Sequence, residues 1–482
     1  MALIAVVAIP VVAALLCWIG LFRRYAWGIT LAATWSVFAL CVFVSARVAA
    51  GDRVVGLAGW LECDGLSALV LLLVSFVCAV ACIFAGGYMH RAEHESEPRL
   101  WWFYSNYNLL VFALLAVPAL AEPNLAWVCM ELVTLFAVLL VGFDSTSSAL
   151  EAAWKFAVLT IMGAPVALFG FFIMFWAFRS GTGGAWETWD ALRSAAPSLD
   201  PNLLKLAFLL VFVGFGAKSG LAPMHTWLPD AHSQAPTPVC AVLSGVKTTV
   251  PLYIILRLLS VILASPAARV GGWLIGLGLL SVGIAAFLLL QVRDYKRMFA
   301  FSTVEHMGII LTASGLATRA ADFGAVSQML NHAITKSLCF YVAGIILLAL
   351  GTREIESVRG LFRVSPFAGS ALLLSCLAIA GAPPFPIFLS EFSILSAGVR
   401  SGQYATVWIL AILIVVAFVA ILLHANRMVF GKPTLPCPRV LLPATCRVAV
   451  FVAAAPVIIL GVYIPPPLHN LLRLAAVQLG GR

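Results

Sequence analysis

Seven ionisable side chains lie inside stretches of this chain that are otherwise apolar enough to cross a membrane. A charge buried in hydrocarbon costs at least ~2.5–3.5 kcal/mol, so it persists only where it is paired, hydrated or used. These side chains carry both signs and fall in six different apolar runs: Glu131, Lys218, Lys247, His306, His332, Lys336 and Glu391. So many buried charges predict a relay that moves charge through a membrane protein.

The strongest local signal surrounds Lys218. Glycines are frequent in the segment 214–220 that contains it, and Pro223 follows. Proline removes a backbone hydrogen bond and clashes with the preceding turn, so the helix should break there, at mid-membrane. Broken backbone at that depth is tolerated only against protein or a wet cavity. The alternative is a lysine that extends to the membrane interface, and the break and the nearby ionisable residues disfavour it.

A second apolar run is interrupted in the same way before Glu391. Residues 380–386 contain one glycine and three prolines, and Glu391 follows within the next apolar stretch. Two matching interrupted helices are typical of transporters built from internal repeats, with their sites at the breaks. The alternative for Glu391 is a carboxylate at the membrane interface. Its position inside an apolar run favours transport.

His332 and Lys336 are four residues apart and therefore share one face of a helix. Histidine takes and releases protons near neutrality, which suits it to a relay. The alternative for a histidine on an apolar helix is a hydrogen-bonded packing residue. The neighbouring lysine favours a relay role for His332, whereas for His306 the two interpretations stay equally open.

Glu131 lies in the middle of an apolar run and has no charged neighbour in sequence. It needs a partner from another helix, and we expect that partner to be Lys218 or Lys247. A Glu–Lys pair that opens and closes changes the proton affinity of its lysine. Such a pair is a usable switch for moving a proton.

The elements that must position these residues are membrane helices. The chain has 482 residues, of which 63% are hydrophobic and 10% charged, whereas soluble domains carry roughly 25% charged residues. Apolar runs of ~20 residues, the length that a bilayer core requires, recur throughout and do not alternate as strands of a barrel would. We therefore predict an all-α polytopic membrane protein with about fourteen helices near 2–22, 27–46, 65–87, 102–121, 123–143, 152–178, 203–224, 236–258, 270–292, 298–318, 322–350, 366–398, 405–428 and 444–465.

The net charge of +9 does not require a nucleic acid partner, because membrane proteins concentrate Lys and Arg in their cytoplasmic loops. The longest basic cluster is only Arg293–Arg297. The distribution of basic residues over the loops favours both termini outside, in the cell inner (plasma) membrane and in contact with its lipid.

The chain offers no ligand set for a cofactor or a metal. Its eleven cysteines form no C-x-x-C pair, as iron–sulfur and most zinc sites need, and it has no nucleotide-binding glycine loop. His90, Glu93 and His94 match a zinc-peptidase pattern, H-x-x-E-H, but lie in a charged turn without a third ligand. The longest loop, 179–202, is a connector. We therefore expect no enzymatic chemistry within this chain, and energy supplied by a partner or an ion gradient.

At these residues the chain resembles the antiporter-like proton-channel family. This family contains the large membrane subunits of respiratory complex I, the Mrp cation/proton antiporters and membrane subunits of energy-converting hydrogenases. The resemblance runs from Asp64 to the last helices. Val304–Gly308 and Ser390–Phe392 are most similar to hydrogenase-4 component F. The most specific segments are 218–236, 243–247, 294–302 and 331–337.

The resemblance implies two inverted five-helix repeats, each with a broken helix, joined by a wet polar axis. We expect N-terminal helices over 1–101, a first repeat over 102–258, a second over 270–428 and a C-terminal helix within 429–482. It also implies proton-translocation roles for Glu131, Lys218, Lys247, His332, Lys336 and Glu391, with Glu391 as the terminal site. His306 joins them as a candidate from its place in the sequence. A glutamate there and the short C-terminal region lead us to expect a subunit unlike the distal subunit of complex I.

The function that follows is a proton-translocating membrane subunit of a redox complex of the hydrogenase-4, formate-hydrogenlyase or complex I type. Its partners would be other membrane subunits and a peripheral metal-containing redox arm. Two alternatives stay open: a cation/proton antiporter subunit of the Mrp kind, and a channel subunit of an inorganic-carbon uptake complex.

Overall fold

Apolar runs punctuated by capping residues give this chain an almost wholly helical fold. The computed structural model describes residues 1–91, 97–184, 188–432 and 442–480. The prediction of an all-α polytopic membrane protein is confirmed. The helices are α1 Ala2–Trp18, α2 Ala26–Ala49, α3 Gly65–Arg91, α4 Glu97–Ala119, α5 Pro123–Val141, α6 Ser147–Thr182, α7 Trp189–Ala195, α8 Pro201–Ser219, α9 Trp227–Gln234, α10 Thr237–Val242, α11 Thr249–Ala264, α12 Gly271–Gln291, α13 Tyr295–Gly315, α14 Arg319–Leu350, α15 Leu361–Val364, α16 Pro366–Ile379, α17 Pro386–Arg400, α18 Tyr404–Phe430, α19 Ala444–Ile459 and α20 Pro466–Gly480.

Ten helical segments in the described ranges are long and apolar enough to cross a membrane. They correspond to ten of the fourteen predicted spans. The other four predicted spans correspond to α1 and α19, which are shorter, to α13, which carries several polar residues, and to the broken pair α16 and α17. The count of fourteen therefore stays a prediction, as do the repeats and the proposed division of the chain.

Acidic caps fix where two helices of the site begin. Glu122 accepts hydrogen bonds from the backbone N–H groups of the first turn of α5, and Asp200 does the same for α8. A proline follows each cap, where its fixed φ suits the first helical position and no N–H is lost to the helix. The two helices that carry Glu131 and Lys218 thus begin with the same local signal.

Glycines bring two pairs of helices into backbone contact. A Cβ added to Gly163 of α6 would lie 2.6 Å from the carbonyl oxygen of Gly214 in α8. A Cβ added to Gly308 of α13 would lie 2.7 Å from the carbonyl oxygen of Gly278 in α12. Small residues allow such close packing between membrane helices. They fix the positions of α8 and α13, which both carry ionisable residues.

Helix α14 lies at the centre of the second half of the molecule. It packs against α3, α10, α13, α16, α17, α19 and α20, and His332 and Lys336 on it are fully buried. The helices α5, α6, α12 and α18 instead present large apolar side chains outward, as lipid-facing or subunit-facing helices do.

Three elements were not predicted from the sequence. Strands β1 Val54–Gly56 and β2 Leu61–Cys63 form an antiparallel hairpin, too short for its alternation to be distinguished from a loop. Helix α7 lies in the predicted connector 179–202, where Thr188 caps it. Helix α20 follows Pro465 and packs against α3 and α14. Arg53 ties the hairpin to α7 through ion pairs with Glu62 and Asp190.

Candidate functional site

Glu131 and Lys218 form an ion pair between α5 and α8. The Nζ of Lys218 donates to the Oε2 of Glu131 at 3.0 Å and to the Oγ1 of Thr134 at 2.7 Å. Lys218 is fully buried, whereas 26% of the Glu131 side chain is exposed at the outer surface of the chain. Of the two partners expected for Glu131, the structure therefore selects Lys218. One carboxylate oxygen of the pair, Oε1, has no hydrogen-bond partner among the described residues.

The predicted break follows Lys218 directly. Helix α8 ends at Ser219, and Gly220 takes a left-handed conformation with φ of 75°, which glycine adopts without steric cost. The last carbonyl groups of a helix have no partner within it. The carbonyl oxygen of Lys218 is one of these, and it accepts a hydrogen bond at 3.0 Å from the Nζ of Lys247.

Lys247 is held by a backbone carbonyl and two aromatic rings. Besides the carbonyl of Lys218, its ammonium lies over the ring of Trp227, 3.9 Å from the centroid, and 4.5 Å from that of Phe156. Helix C-termini and aromatic faces both attract cations. Lys247 closes a single π-helical turn, Leu243–Lys247, a feature frequent at functional sites that the sequence did not reveal.

His332 joins this turn to α14. Its Nε2 lies 3.2 Å from the carbonyl oxygen of Ser244, and a carbonyl only accepts, so this nitrogen carries the proton. Its Nδ1 has no hydrogen-bond partner in the described ranges. The ring centroid of His332 lies 5.3 Å from that of His306.

Lys336 is fully buried one turn after His332. Its Nζ donates to the carbonyl oxygen of Phe299 at 2.5 Å and to the hydroxyl of Ser302, both on α13. His332 and Lys336 lie one turn apart on α14, as predicted, but they bind different partners. His332 contacts the π-helical turn, whereas Lys336 contacts α13.

His306 and Glu391 meet at the second break. The Nδ1 of His306 lies 3.9 Å from the Oε1 of Glu391, and its Nε2 lies 3.1 Å from the carbonyl oxygen of Ile379. Ile379 is the last residue of α16, just before Gly381 with φ of 78°. At both breaks, the freed carbonyl at the helix end is thus bound by a predicted site residue.

Polar residues that the sequence analysis did not select complete this region. The amide nitrogen of Gln328 donates to the Nδ1 of His306 at 2.9 Å and lies 3.5 Å from the Oε1 of Glu391. Ser390 donates to the amide oxygen of Gln328, and Asn331 donates to Ser390. Gln328 precedes His332 by four residues, so the helical spacing of residues 328, 332 and 336 was a usable signal.

The structure brings all seven predicted residues into one series of neighbours. Glu131 contacts Lys218, and the backbone of Lys218 contacts Lys247. The turn that ends at Lys247 contacts His332, which neighbours His306 and, one turn on, Lys336. His306 reaches Glu391. Such a series is suited to passing protons between groups a few ångströms apart.

Asp230 anchors α9 beside this series. Its carboxylate pairs with Lys155 of α6 at 3.1 Å and with Arg297 of α13 at 2.5 Å. Because α9 carries Trp227, this clamp also sets the ring that faces Lys247.

No group of three or more potential metal ligands is found in the part of the chain that the structure describes. Of the H-x-x-E-H pattern, His90 lies in α3, while Glu93 and His94 lie outside the described residues.

Comparison with known proteins identifies the family. Residues 124–417 match the family described as NADH:quinone oxidoreductase/Mrp antiporter, TM, and residues 60–104 match the N-terminus of chain 5 of NADH-ubiquinone oxidoreductase (complex I). A hydrogenase-4 component F homolog of Methylacidiphilum infernorum is 38% identical over 413 residues, which cover 84% of this chain and 85% of that protein. Hydrogenase-4 component B of Escherichia coli is 31% identical over 69% of this chain and 50% of its own length.

Solved structures share the fold over nearly the whole chain. A chain of the membrane-bound sulfane sulfur reductase, an archaeal respiratory membrane complex, gives a TM-score of 0.87 at 23% identity, covering 99% of this chain and 98% of that one. A chain of the Mrp complex from Dietzia sp. gives 0.88 at 19% identity, covering 99% and 97%. The chain is therefore a polytopic membrane protein that belongs to the NADH:quinone oxidoreductase/Mrp antiporter family.

Proposed function

We propose that this chain is a proton-translocating subunit of a membrane-bound redox complex of the hydrogenase-4 or complex I type. The observation that carries the proposal is the series of neighbouring ionisable side chains from Glu131 to Glu391, linked in part through backbone carbonyls. A charge in a membrane interior is costly unless it is paired or used. Lys247 and Lys336 are held by carbonyls, a hydroxyl and ring faces, which supports use rather than simple pairing.

The ion pair at one end is suited to be a switch. Glu131 holds the ammonium of Lys218, yet its side chain is partly exposed at the surface of the chain. A charge on a neighbouring subunit can therefore compete for Glu131. When Glu131 turns away, Lys218 loses its counterion and can give its proton to Lys247 once that residue has passed its own proton on and is a neutral amine. The Nζ of Lys247 lies at the end of α8, 3.0 Å from the carbonyl oxygen of Lys218.

The names of the relatives support a redox assembly. Two of them are hydrogenase-4 components, and the sulfane sulfur reductase is a respiratory membrane complex. By analogy, this chain assembles with other membrane subunits and a peripheral metal-containing arm. We place it in the plasma membrane with both termini outside, on the distribution of its basic residues.

The direct test uses the complex purified through a tag on this chain in mild detergent and reconstituted in vesicles with an enclosed pH dye. A potassium diffusion potential, negative inside, should drive proton uptake that protein-free vesicles lack. It requires no knowledge of the redox substrate. Wild-type complex that conducts no protons would contradict the proposal.

A second candidate function is a cation/proton antiporter without redox chemistry, which the similarity to a chain of the Mrp complex favours. The metal content of the same purified complex separates the two functions. Nickel and iron support a hydrogenase arm. The absence of transition metals, together with sodium-dependent proton movement, supports the antiporter, and zinc alone supports a partner in inorganic-carbon uptake.

A further inference from the structure

Glu305 is a buried acid that is not among the seven predicted site residues. It lies on α13, only 4% exposed. Its Oε2 is buried and has no hydrogen-bond partner in the described part of the chain. Buried carboxyl oxygens are normally hydrogen-bonded, and one that is not calls for an explanation. Two other acids within the helical fold have a nitrogen partner: Asp64 pairs with Arg257, and the Oε1 of Glu391 lies 3.5 Å from the amide nitrogen of Gln328.

The neighbours of Glu305 on α13 contact Lys336 on one side and Glu391 on the other. Ser302 precedes it by three residues, so the two share a helix face, and Ser302 accepts a hydrogen bond from Lys336. On the other side of Glu305 in sequence, the Nδ1 of His306 lies 3.9 Å from the Oε1 of Glu391. Glu305 therefore lies on α13 between a residue that contacts Lys336 and one that contacts Glu391.

The donors of Lys336 fit a transfer to Glu305. An ammonium group has three N–H donors, and two are used by the carbonyl oxygen of Phe299 and the hydroxyl of Ser302. The third is left for another acceptor. After losing one proton, the neutral amine keeps two N–H groups, enough to maintain both existing hydrogen bonds.

The neighbouring His306 is held in a way that does not favour proton transfer. The carbonyl of Ile379 accepts, so the Nε2 of His306 must carry a proton; the amide nitrogen of Gln328 donates, so the Nδ1 must not. Both ring nitrogens are thus occupied in the neutral form. These contacts favour the packing alternative for His306, in which it positions Gln328 beside Glu391.

We propose, resting on the function proposed above, that Glu305 is the group that carries protons between Lys336 and Glu391. The proton moves from the Nζ of Lys336 to the carboxylate of Glu305, which leaves a neutral amine and a neutral carboxyl group. It then moves from Glu305 to the carboxylate of Glu391, so that Glu305 is again ionised. Lys336 is reprotonated from the side of His332, and one proton has advanced with charge conserved at each step.

Reconstituted complex with Glu305→Gln or Glu305→Asp tests this proposal under the potassium potential described above. Glu305→Gln keeps the shape and cannot titrate, so proton flux should fall at least about tenfold, a modest share of what a proton-transfer group contributes. Glu305→Asp keeps the titratable group and should retain much more flux. Infrared difference spectra should show a carbonyl band of a protonated carboxyl group that Asp shifts and Gln removes. Glu151→Gln, the same change on an exposed side chain of α6, should leave flux unchanged.

The outcomes separate this proposal from the function on which it rests. Normal flux in assembled Glu305→Gln, while Lys336→Ala abolishes it, overturns the role of Glu305 and leaves the relay intact. No flux in the wild type overturns both. Should Glu305→Gln fail to assemble, the Asp variant decides: retained flux with a shifted band supports the proposal, and an unshifted band overturns it.

Discussion

At the scale of residues, the three buried lysines of the site differ in the chemical type of their partners. Lys218 has a carboxylate partner, whereas Lys247 and Lys336 are held by carbonyls, a hydroxyl and ring faces. These neutral partners hold an ammonium group in place without locking it into a permanent ion pair. An ion pair in every position would be rigid, and a proton could not pass along it.

Lys336→Ala should reduce proton flux severely, by at least about tenfold, because it removes a titratable group from the middle of the series. His332→Gln should be milder, since an amide N–H of glutamine can donate to the carbonyl of Ser244 as the Nε2 of His332 does. Flux through the two assembled variants in vesicles is the measurement. A fully active Lys336→Ala variant would show that this lysine has a structural role only.

At the scale of elements, both helix breaks serve the site by freeing carbonyl oxygens. Glycine and proline made the breaks after Lys218 and before Glu391 predictable from sequence. The residues that bind the freed carbonyls, Lys247 and His306, were predicted as site residues, but their contacts with these carbonyls were not. Helix-end carbonyls are defined by three-dimensional packing, which a one-dimensional pattern of residue types does not contain.

The close contact of α12 with α13 should be intolerant of added volume. Gly308→Ala would place its Cβ 2.7 Å from the carbonyl oxygen of Gly278, and overpacking of this kind costs roughly 1–3 kcal/mol. Gly276→Ala, on α12 with nothing within 4 Å of its Cβ, is the matched control and should not destabilise. Thermal midpoints of the two variants in detergent test this. Equal midpoints would show that α12 and α13 adjust at little cost.

At the scale of the whole molecule, composition and run length predicted the membrane class and the helical fold. Buried charge predicted residues that the fold brings into one series, although no sequence neighbour connects Glu131 with Lys218. Gln328 was not predicted because it is uncharged, and the prediction selected ionisable residues. Glu305 was not predicted because the site in that apolar run was assigned to its neighbour His306. The π-helical turn at Lys247 and the short hairpin left no periodic signal. The repeats and their boundaries remain predictions.

The central claim is that protons cross the membrane along this series, and its entry pair offers the most direct measurement. Proton uptake is compared in vesicles containing equal amounts of assembled wild-type, Glu131→Ala or Lys218→Ala complex, with Lys432→Ala, a change at an exposed lysine, as control. The account predicts that both entry variants fall to the rate of protein-free vesicles, while the control conducts as the wild type does. Near-normal uptake by both assembled entry variants would contradict it.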